Sequence, residues 1–200
     1  MKPQFNTLAE IYEHSVTSFP KRTAAEFVGG AQSYTYAQFR DCCDNISKRL
    51  SNFGIGAGDK VAILSENSPN WSAAFFAITV YGRIAIPMLP ELSAGEVENI
   101  LVHSEAKAIF VSKKQLPKLS EEAIGRLKLV IAIGDLSFIK AEGSSYTCDG
   151  KVSRPTALDT AAILYTSGTT GKAKGVMLCH RNFCTNVLTS WYSYKIGPRD

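Results

Sequence analysis

Residues 61–111 read VAILSENSPNWSAAFFAITVYGRIAIPMLPELSAGEVENILVHSEAKAIFV. Three short runs inside this stretch, Val61 to Leu64, Ile84 to Met88 and Ala108 to Val111, are apolar almost throughout. They are too short for buried helices and lack the polar–apolar alternation of a sheet with one wet face. Helical signals separate them. Ser68-Pro69 is an N-cap followed by proline at the first helical position, where a missing N–H costs nothing. The helix it opens is expected to bury Trp71, Phe75 and Ile78, with Gly82 closing it. Ser93 to Glu96 is a capping box that opens a second helix, with Val97, Ile100 and Leu101 inward. Strand–helix–strand units with fully apolar strands predict an α/β fold: a mostly parallel sheet flanked by helices on both faces. Crossovers in such units are right-handed.

The pattern continues outward. Ser120 to Leu127 reads as a helix and Leu129 to Ile133 as a strand. Upstream, Thr7 and Glu10 form a capping box, and Leu8, Ile11, Tyr12 and Ser15 share one helical face until Phe19-Pro20. Thr23 to Val28 and Gln32 to Tyr36 flank Gly29-Gly30 and read as a hairpin. Thr35 and Gln38 form another capping box. It opens an amphipathic helix with Phe39, Cys42, Ile46, Leu50 and Phe53 on one face, stopped at Gly54. The organisation expected is a helix, hairpin and helix over 1–58 and an α/β unit over 59–139. A third segment, 140–200, starts as a polar loop or weak hairpin (Lys140 to Asp159), continues as a buried strand (Ala161 to Tyr165), and ends in a helix carrying Phe183, Val187 and Trp191.

Composition narrows the class. Of 200 residues, 45% are hydrophobic and 20% charged, which excludes disordered and collagen-like chains. The net charge of +4 is far from that of a dedicated nucleic-acid binder. Glu121 and Glu122 interrupt the cluster of Lys113, Lys114, Lys118, Arg126 and Lys128, so it reads as a solvated face. The longest apolar stretch, Trp71 to Tyr81, is well short of the roughly 20 residues a membrane span needs. No apolar signal region follows Met1. Five irregularly spaced cysteines, Cys42, Cys43, Cys148, Cys179 and Cys184, with no C-x-x-C pair, suggest free thiols in a reducing, cytoplasmic compartment and no zinc site.

The chemistry is concentrated in Thr166-Ser-Gly-Thr-Thr-Gly-Lys-Ala-Lys-Gly-Val176, which directly follows the buried strand. Glycines let backbone N–H groups approach a ligand closely, and successive N–H groups make a concave anion nest. Four hydroxyls donate to phosphate oxygens, and lysine offsets their charge. The bland alternative is a mobile turn of small polar residues. The loop is not a P-loop of the G-x-x-x-x-G-K-[ST] type, because Gly168 and Gly171 are only three apart and Ala173 follows Lys172. The dinucleotide fingerprint G-x-G-x-x-G is absent as well.

YTSGTTGKAKGV, Tyr165 to Val176, resembles the phosphate-binding signature TSGTTGxPKGV of the AMP-forming adenylating enzymes. Leu64-Ser-Glu-Asn-Ser-Pro-Asn-Trp71, Ile86-Pro87 with Pro90, His103-Ser-Glu-Ala-Lys107 and Met177-Leu-Cys-His180-Arg-Asn182 are similar to the long-chain acyl-CoA synthetase branch. The resemblance covers nearly the whole chain. It implies the N-terminal part of the adenylate-forming, acetyl-CoA synthetase-like fold. It also implies a two-step ligation, in which a fatty-acid carboxylate attacks the α-phosphorus of Mg2+-bound ATP and coenzyme A then displaces AMP. By position, Thr166, Ser167, Gly168, Thr169, Thr170, Gly171 and Lys174 match the loop around the β- and γ-phosphates. Ala173 stands where the family usually has proline. The loss of a pre-set φ raises the ordering cost by about 1 kcal/mol or less. Lys172 sits at a variable position and takes no role.

Other residues receive structural readings. His180 either approaches the phosphates or caps the next helix with Asn182. His14 and His103 fall on helices and are read as incidental, Cys179 and Cys184 as half-buried small residues, and Tyr165 as packing at the strand end. The resemblance also implies parts that this sequence does not carry: an adenine-binding segment, a Tyr-Gly-x-Thr-Glu signature with its magnesium-associated glutamate, a ribose-binding aspartate, and a mobile C-terminal domain with an adenylation lysine. The expectation is therefore an N-terminal piece whose partner is the remainder of its own chain. It should be inactive alone and have a phosphate loop that is disordered or held by a neighbour. Two alternatives remain: part of a sister enzyme that loads a carrier protein or activates an aryl acid, and a self-contained phosphate- or nucleotide-binding module.

Overall fold

The computed structural model describes residues 5–143, 153–166 and 174–194, with the side chains of 191, 192 and 194 left aside. Its frame is a seven-stranded sheet. The strands are β3 (Lys60–Leu64), β4 (Ile84–Met88), β5 (Ala108–Val111), β6 (Leu129–Ala132), β7 (Phe138–Ala141), β8 (Thr160–Thr166) and β9 (Lys174–Cys179), in the order β7-β6-β5-β3-β4-β8-β9. The five inner strands are parallel, and β7 and β9 close the two edges antiparallel. A separate hairpin pairs β1 (Thr23–Glu26) with β2 (Ser33–Thr35). The expected α/β class and mostly parallel sheet are what the chain adopts.

The apolar strands explain the layers. In β3, Val61 and Ile63 point into one core and Ala62 and Leu64 into another, all fully buried. The first core receives α1 (Leu8–Ser18), α2 (Tyr36–Asn52) and α3 (Pro69–Thr79), through Tyr12, Phe39, Ile46, Leu50 and Ile78. The second receives α4 (Ala94–Ser104) and α5 (Glu121–Arg126), through Val97, Ile100, Leu101 and Ala123. A sheet covered on both faces has no polar face, which is why its strands do not alternate.

The helix starts follow their caps. Thr35 with Gln38 and Ser93 with Glu96 form complete capping boxes, and the Ser68 hydroxyl accepts from the Trp71 N–H before Pro69. Thr7 does half of what its box predicts. Its hydroxyl accepts from Glu10 N–H, but the Glu10 carboxylate takes the Asn6 N–H, one residue further back. On α1 the buried face is Leu8, Tyr12 and Val16 rather than Ile11 and Ser15. On α2 the buried thiol is Cys43, and Cys42 is half-buried. In α3 the deepest side chains are the small ones, Ala73, Ala74 and Ala77 with Ile78; Trp71 and Phe75 stack on each other, partly exposed.

Two strands differ from the sequence expectation. Residues 138–141, expected within or beside a polar loop, pair with β6. Residues 174–179, expected as the end of a loop, pair with β8 from Thr160↔Cys179 to Thr166↔Lys174. Both are edge strands with largely exposed residues, so burial leaves no apolar pattern in them. The last helix, α6 (His180–Tyr194), follows β9 directly.

Two buried polar knots tie the layers. Arg83, buried at the entry to β4, donates to the Ile55 carbonyl (2.9 Å), the Ser47 hydroxyl (3.0 Å) and the Ser51 hydroxyl (2.6 Å). Asn70, at the start of α3, joins the β1–β2 hairpin to the end of β6. Its Oδ1 accepts from Gln32 Nε2 (2.8 Å) and the Tyr34 hydroxyl (2.6 Å). Its Nδ2 donates to the carbonyls of Ile133 (2.7 Å) and Gly134 (2.9 Å).

Candidate phosphate-binding hairpin

β8 is parallel to β4, so Thr166 comes at the same end of the sheet as the carboxyl ends of β3, β4 and β5. Open α/β sheets bind ligands at that end. Of the residues assigned to the phosphate loop, Thr166 closes β8 and Lys174 opens β9, and the two are register partners. They therefore stand opposite each other at the mouth of the hairpin. Ser167, Gly168, Thr169, Thr170 and Gly171 lie outside the described residues, as does the expectation about order in the loop. What the structure supplies is the stem: two paired strands that fix where the seven-residue connection leaves and returns.

Gly175 is part of that stem. A Cβ at this position would lie 2.6 Å from Ile163 Cγ2 and 3.2 Å from the Tyr165 ring. The Tyr165 ring therefore lies close against the glycine of the opposing strand. Gly175→Ala is expected to lower stability by about 1–3 kcal/mol through overpacking, read as a lower urea midpoint at unchanged slope. Tyr165 does more than pack at a strand end. Its hydroxyl lies 2.8 Å from His103 Nδ1, and the two rings meet edge to face at 5.7 Å. Burial pushes the Tyr165 phenol above its ordinary value, so at neutral pH it keeps its proton, and the imidazole tautomer sets which of the two groups donates. No spacing rule could have shown this pair, because 62 positions separate its members in the chain.

His180 takes neither of the roles left open for it. It is fully buried at the start of α6, where its Nδ1 accepts the Leu8 N–H at 3.2 Å. Asn182 does act locally, accepting the Cys179 N–H through Oδ1 at 2.9 Å. His180 thus ties the first turn of α1 to the β9–α6 junction. Its Nε2 has no hydrogen-bond partner among the described residues. Burial holds its pKa below the ordinary 6.5, with Asp159 opposing. Folding therefore favours the neutral ring. The unfolded chain binds the proton first as pH falls through 6.5, so stability is complete above that value and drops below it. A His180→Gln variant is expected to lose this part of the pH dependence in denaturation curves taken between pH 5 and pH 8.

Two further features bear on chemistry. Cys184 is fully buried, where burial raises its thiol to about 11, so it is no ready nucleophile; Cys179 is half-buried, with its Sγ 3.1 Å from Asn182 Oδ1. At the carboxyl ends of β3, β4 and β5 lies a cleft of about 580 Å3, lined by Glu66, Asn67, Leu89, Pro90, Lys114 and Gln115 among others. Gln115 Nε2 donates to Glu66 at 2.6 Å, which helps hold that carboxyl below its usual range. Among the described residues no group of three or more His, Cys, Asp or Glu side chains comes together to hold a metal ion, and no helix is long and apolar enough to cross a membrane.

Comparison with known proteins gives the hairpin its context. The model of the AMP-binding enzyme family matches residues 12–200. A fatty acid–[acyl-carrier-protein] ligase of Streptomyces coeruleorubidus, ScoC, is 29% identical over 98% of the chain and 38% of its own length. The peroxisomal long chain acyl-CoA synthetase 6 of Arabidopsis thaliana is 28% identical over 99% of the chain and 32% of its own length. The chain thus spans less than two-fifths of these curated relatives. Among solved structures, the inhibitor-bound N-terminal domain of FACL13 from Mycobacterium tuberculosis superposes with a TM-score of 0.70 at 26% identity. That match covers 88% of this chain and 45% of that one. With the family model matching nearly its whole length, this chain belongs to the AMP-binding enzyme family.

Proposed function

We propose that this chain supplies the ATP-phosphate-binding part of an AMP-forming long-chain fatty-acid–CoA ligase. The observation that carries the reading is the β8–β9 stem, with Thr166 facing Lys174 across the mouth of a Gly- and hydroxyl-rich connection at the ligand-binding end of the sheet. In the reaction a fatty-acid carboxylate oxygen attacks the α-phosphorus of ATP. The bond to pyrophosphate breaks, leaving an acyl-adenylate. The thiol of coenzyme A then attacks the acyl carbon, and AMP leaves with the electron pair.

The hydroxyls of Thr166, Ser167, Thr169 and Thr170, and the backbone N–H groups around Gly168 and Gly171, hold the β- and γ-phosphates. Lys174 offsets charge on the departing pyrophosphate. Such a transfer depends on positioning and charge stabilisation more than on covalent help from the protein. Mg2+ would add charge neutralisation on the phosphates. Among the described residues no group of three or more His, Cys, Asp or Glu side chains comes together to hold it.

A second reading, in which the acyl group passes to the thiol of a carrier protein, is favoured by the similarity to ScoC. The long-chain CoA reading rests on the Leu64 to Trp71 and Ile86-Pro87 segments and on the similarity to the Arabidopsis synthetase. The product of the complete reading frame, given ATP and palmitate, is expected to form palmitoyl-CoA from coenzyme A and no thioester on a phosphopantetheinylated carrier protein. Acylation of the carrier protein alone would move the assignment to the second reading.

A further inference from the structure

We propose that His103 is a positioning residue for Thr166 and Lys174 at the mouth of the hairpin, acting through Tyr165. The inference rests on the phosphate reading of residues 166–174 and adds to it an anchor on a different helix.

The geometry forms a chain of contacts from the core to the mouth of the hairpin. α4 is fixed to the sheet by Val97, Ile100 and Leu101, all buried in the second core. From the same helix His103 reaches out to the Tyr165 hydroxyl at 2.8 Å, with its ring edge-on to the phenol. Tyr165 immediately precedes Thr166, and its register partner Gly175 immediately follows Lys174. The missing Cβ at Gly175 leaves room for the phenol ring close against that strand. One hydrogen bond to one ring therefore bears on both strands, one residue below the point where each enters the connection. Among the described residues no strand pairs with the outer side of β9, so there this side of the hairpin lacks the ladder that steadies the inner strands. A brace from α4 supplies a contact that the sheet edge does not.

His103 is exposed and lies outside both cores, so its removal leaves the packed layers intact. That separates positioning from folding. Asparagine places an amide atom where Nδ1 stands, and leucine does not. Amide hydrogen exchange on the 200-residue chain is the test. In His103→Leu and Tyr165→Phe, the amides of 164–166 and 174–177 are expected to exchange roughly 3- to 10-fold faster, the worth of one neutral hydrogen bond. Exchange in α4 should be unchanged, and the double variant should be no faster than either single one. His103→Asn should restore the wild-type rate.

Unchanged exchange at 164–166 and 174–177, acceleration shared by all of α4, or failure of asparagine to rescue would overturn the proposal. Titration with ATP of the same variants, made in the product of the complete reading frame, separates it from the reading beneath it. Weakened ATP binding in the leucine variant, by a factor similar to the exchange effect, supports both. If exchange responds while neither wild type nor variant binds ATP, the brace stands and the phosphate reading falls.

Discussion

Replacing Asn70 with leucine is expected to destabilise the fold by about 3–4 kcal/mol, more than any surface change. Leucine keeps the branch at Cγ, so the expected cost lies mainly in the hydrogen bonds lost. Asparagine at this site uses both ends of its amide. It accepts from Gln32 and Tyr34 of the hairpin region and donates to the Ile133 and Gly134 carbonyls after β6. Leucine would leave two acceptors and two donors without their partner, and the Ile133 end is buried. Each unsatisfied buried group costs about 1–3 kcal/mol, reduced where water can reach it. For a chain of this size the melting temperature should fall by roughly 10 °C. Thermal and urea denaturation would measure both quantities. A loss under about 1 kcal/mol would mean that the hairpin is not tied to the sheet through Asn70.

The second large effect is on chemistry. In the product of the complete reading frame, Lys174→Ala is expected to slow fatty-acid-dependent ATP–pyrophosphate exchange by about 100-fold, and Thr169→Ala by about 10-fold. The Lys174 figure is at the lower end of what is seen when one preorganised donor is removed from a site of developing charge, and the single neutral hydroxyl of Thr169 is expected to contribute less. Neither substitution should disturb folding. Lys174 is exposed at the edge of the sheet, and no shift in fold stability is expected from losing a solvated ammonium. A denaturation midpoint equal to wild type, beside the lost exchange, would place the effect in the site.

Much of the fold was legible because its signals are local and strong. Val61 to Leu64 and Ala108 to Val111 are apolar at every position since both faces of the sheet are covered, and that pattern is visible without coordinates. Ser68-Pro69 and Ser93 with Glu96 mark helix starts through hydrogen bonds three residues away. The strands at 138–141 and 174–179 were not legible. An edge strand buries little, so pairing with β6 or β8 decides its state and leaves no periodicity behind. The same reason hid the choice of Cys43 over Cys42 on α2. Both lie near the apolar stripe, and only the approach of α3, where Cys43 Sγ meets the Ala73 carbonyl, selects between them.

The phosphate-loop assignment came from residue types in order, and the structure adds its stem. His180 and His103 show the limit of such reading. One is buried between α1 and α6, and the other meets a tyrosine on a distant strand. Both relations are set by tertiary packing, and a histidine in a sequence carries no mark of its partner.

The most direct measurement of the central claim is isotope exchange between pyrophosphate and ATP, catalysed by the product of the complete reading frame, with and without palmitate. Exchange that requires both the fatty acid and an intact Lys174 is the predicted result. No exchange with palmitate or any other carboxylic acid, from a folded protein that still binds ATP, would contradict it and leave a nucleotide-binding module in place of a ligase.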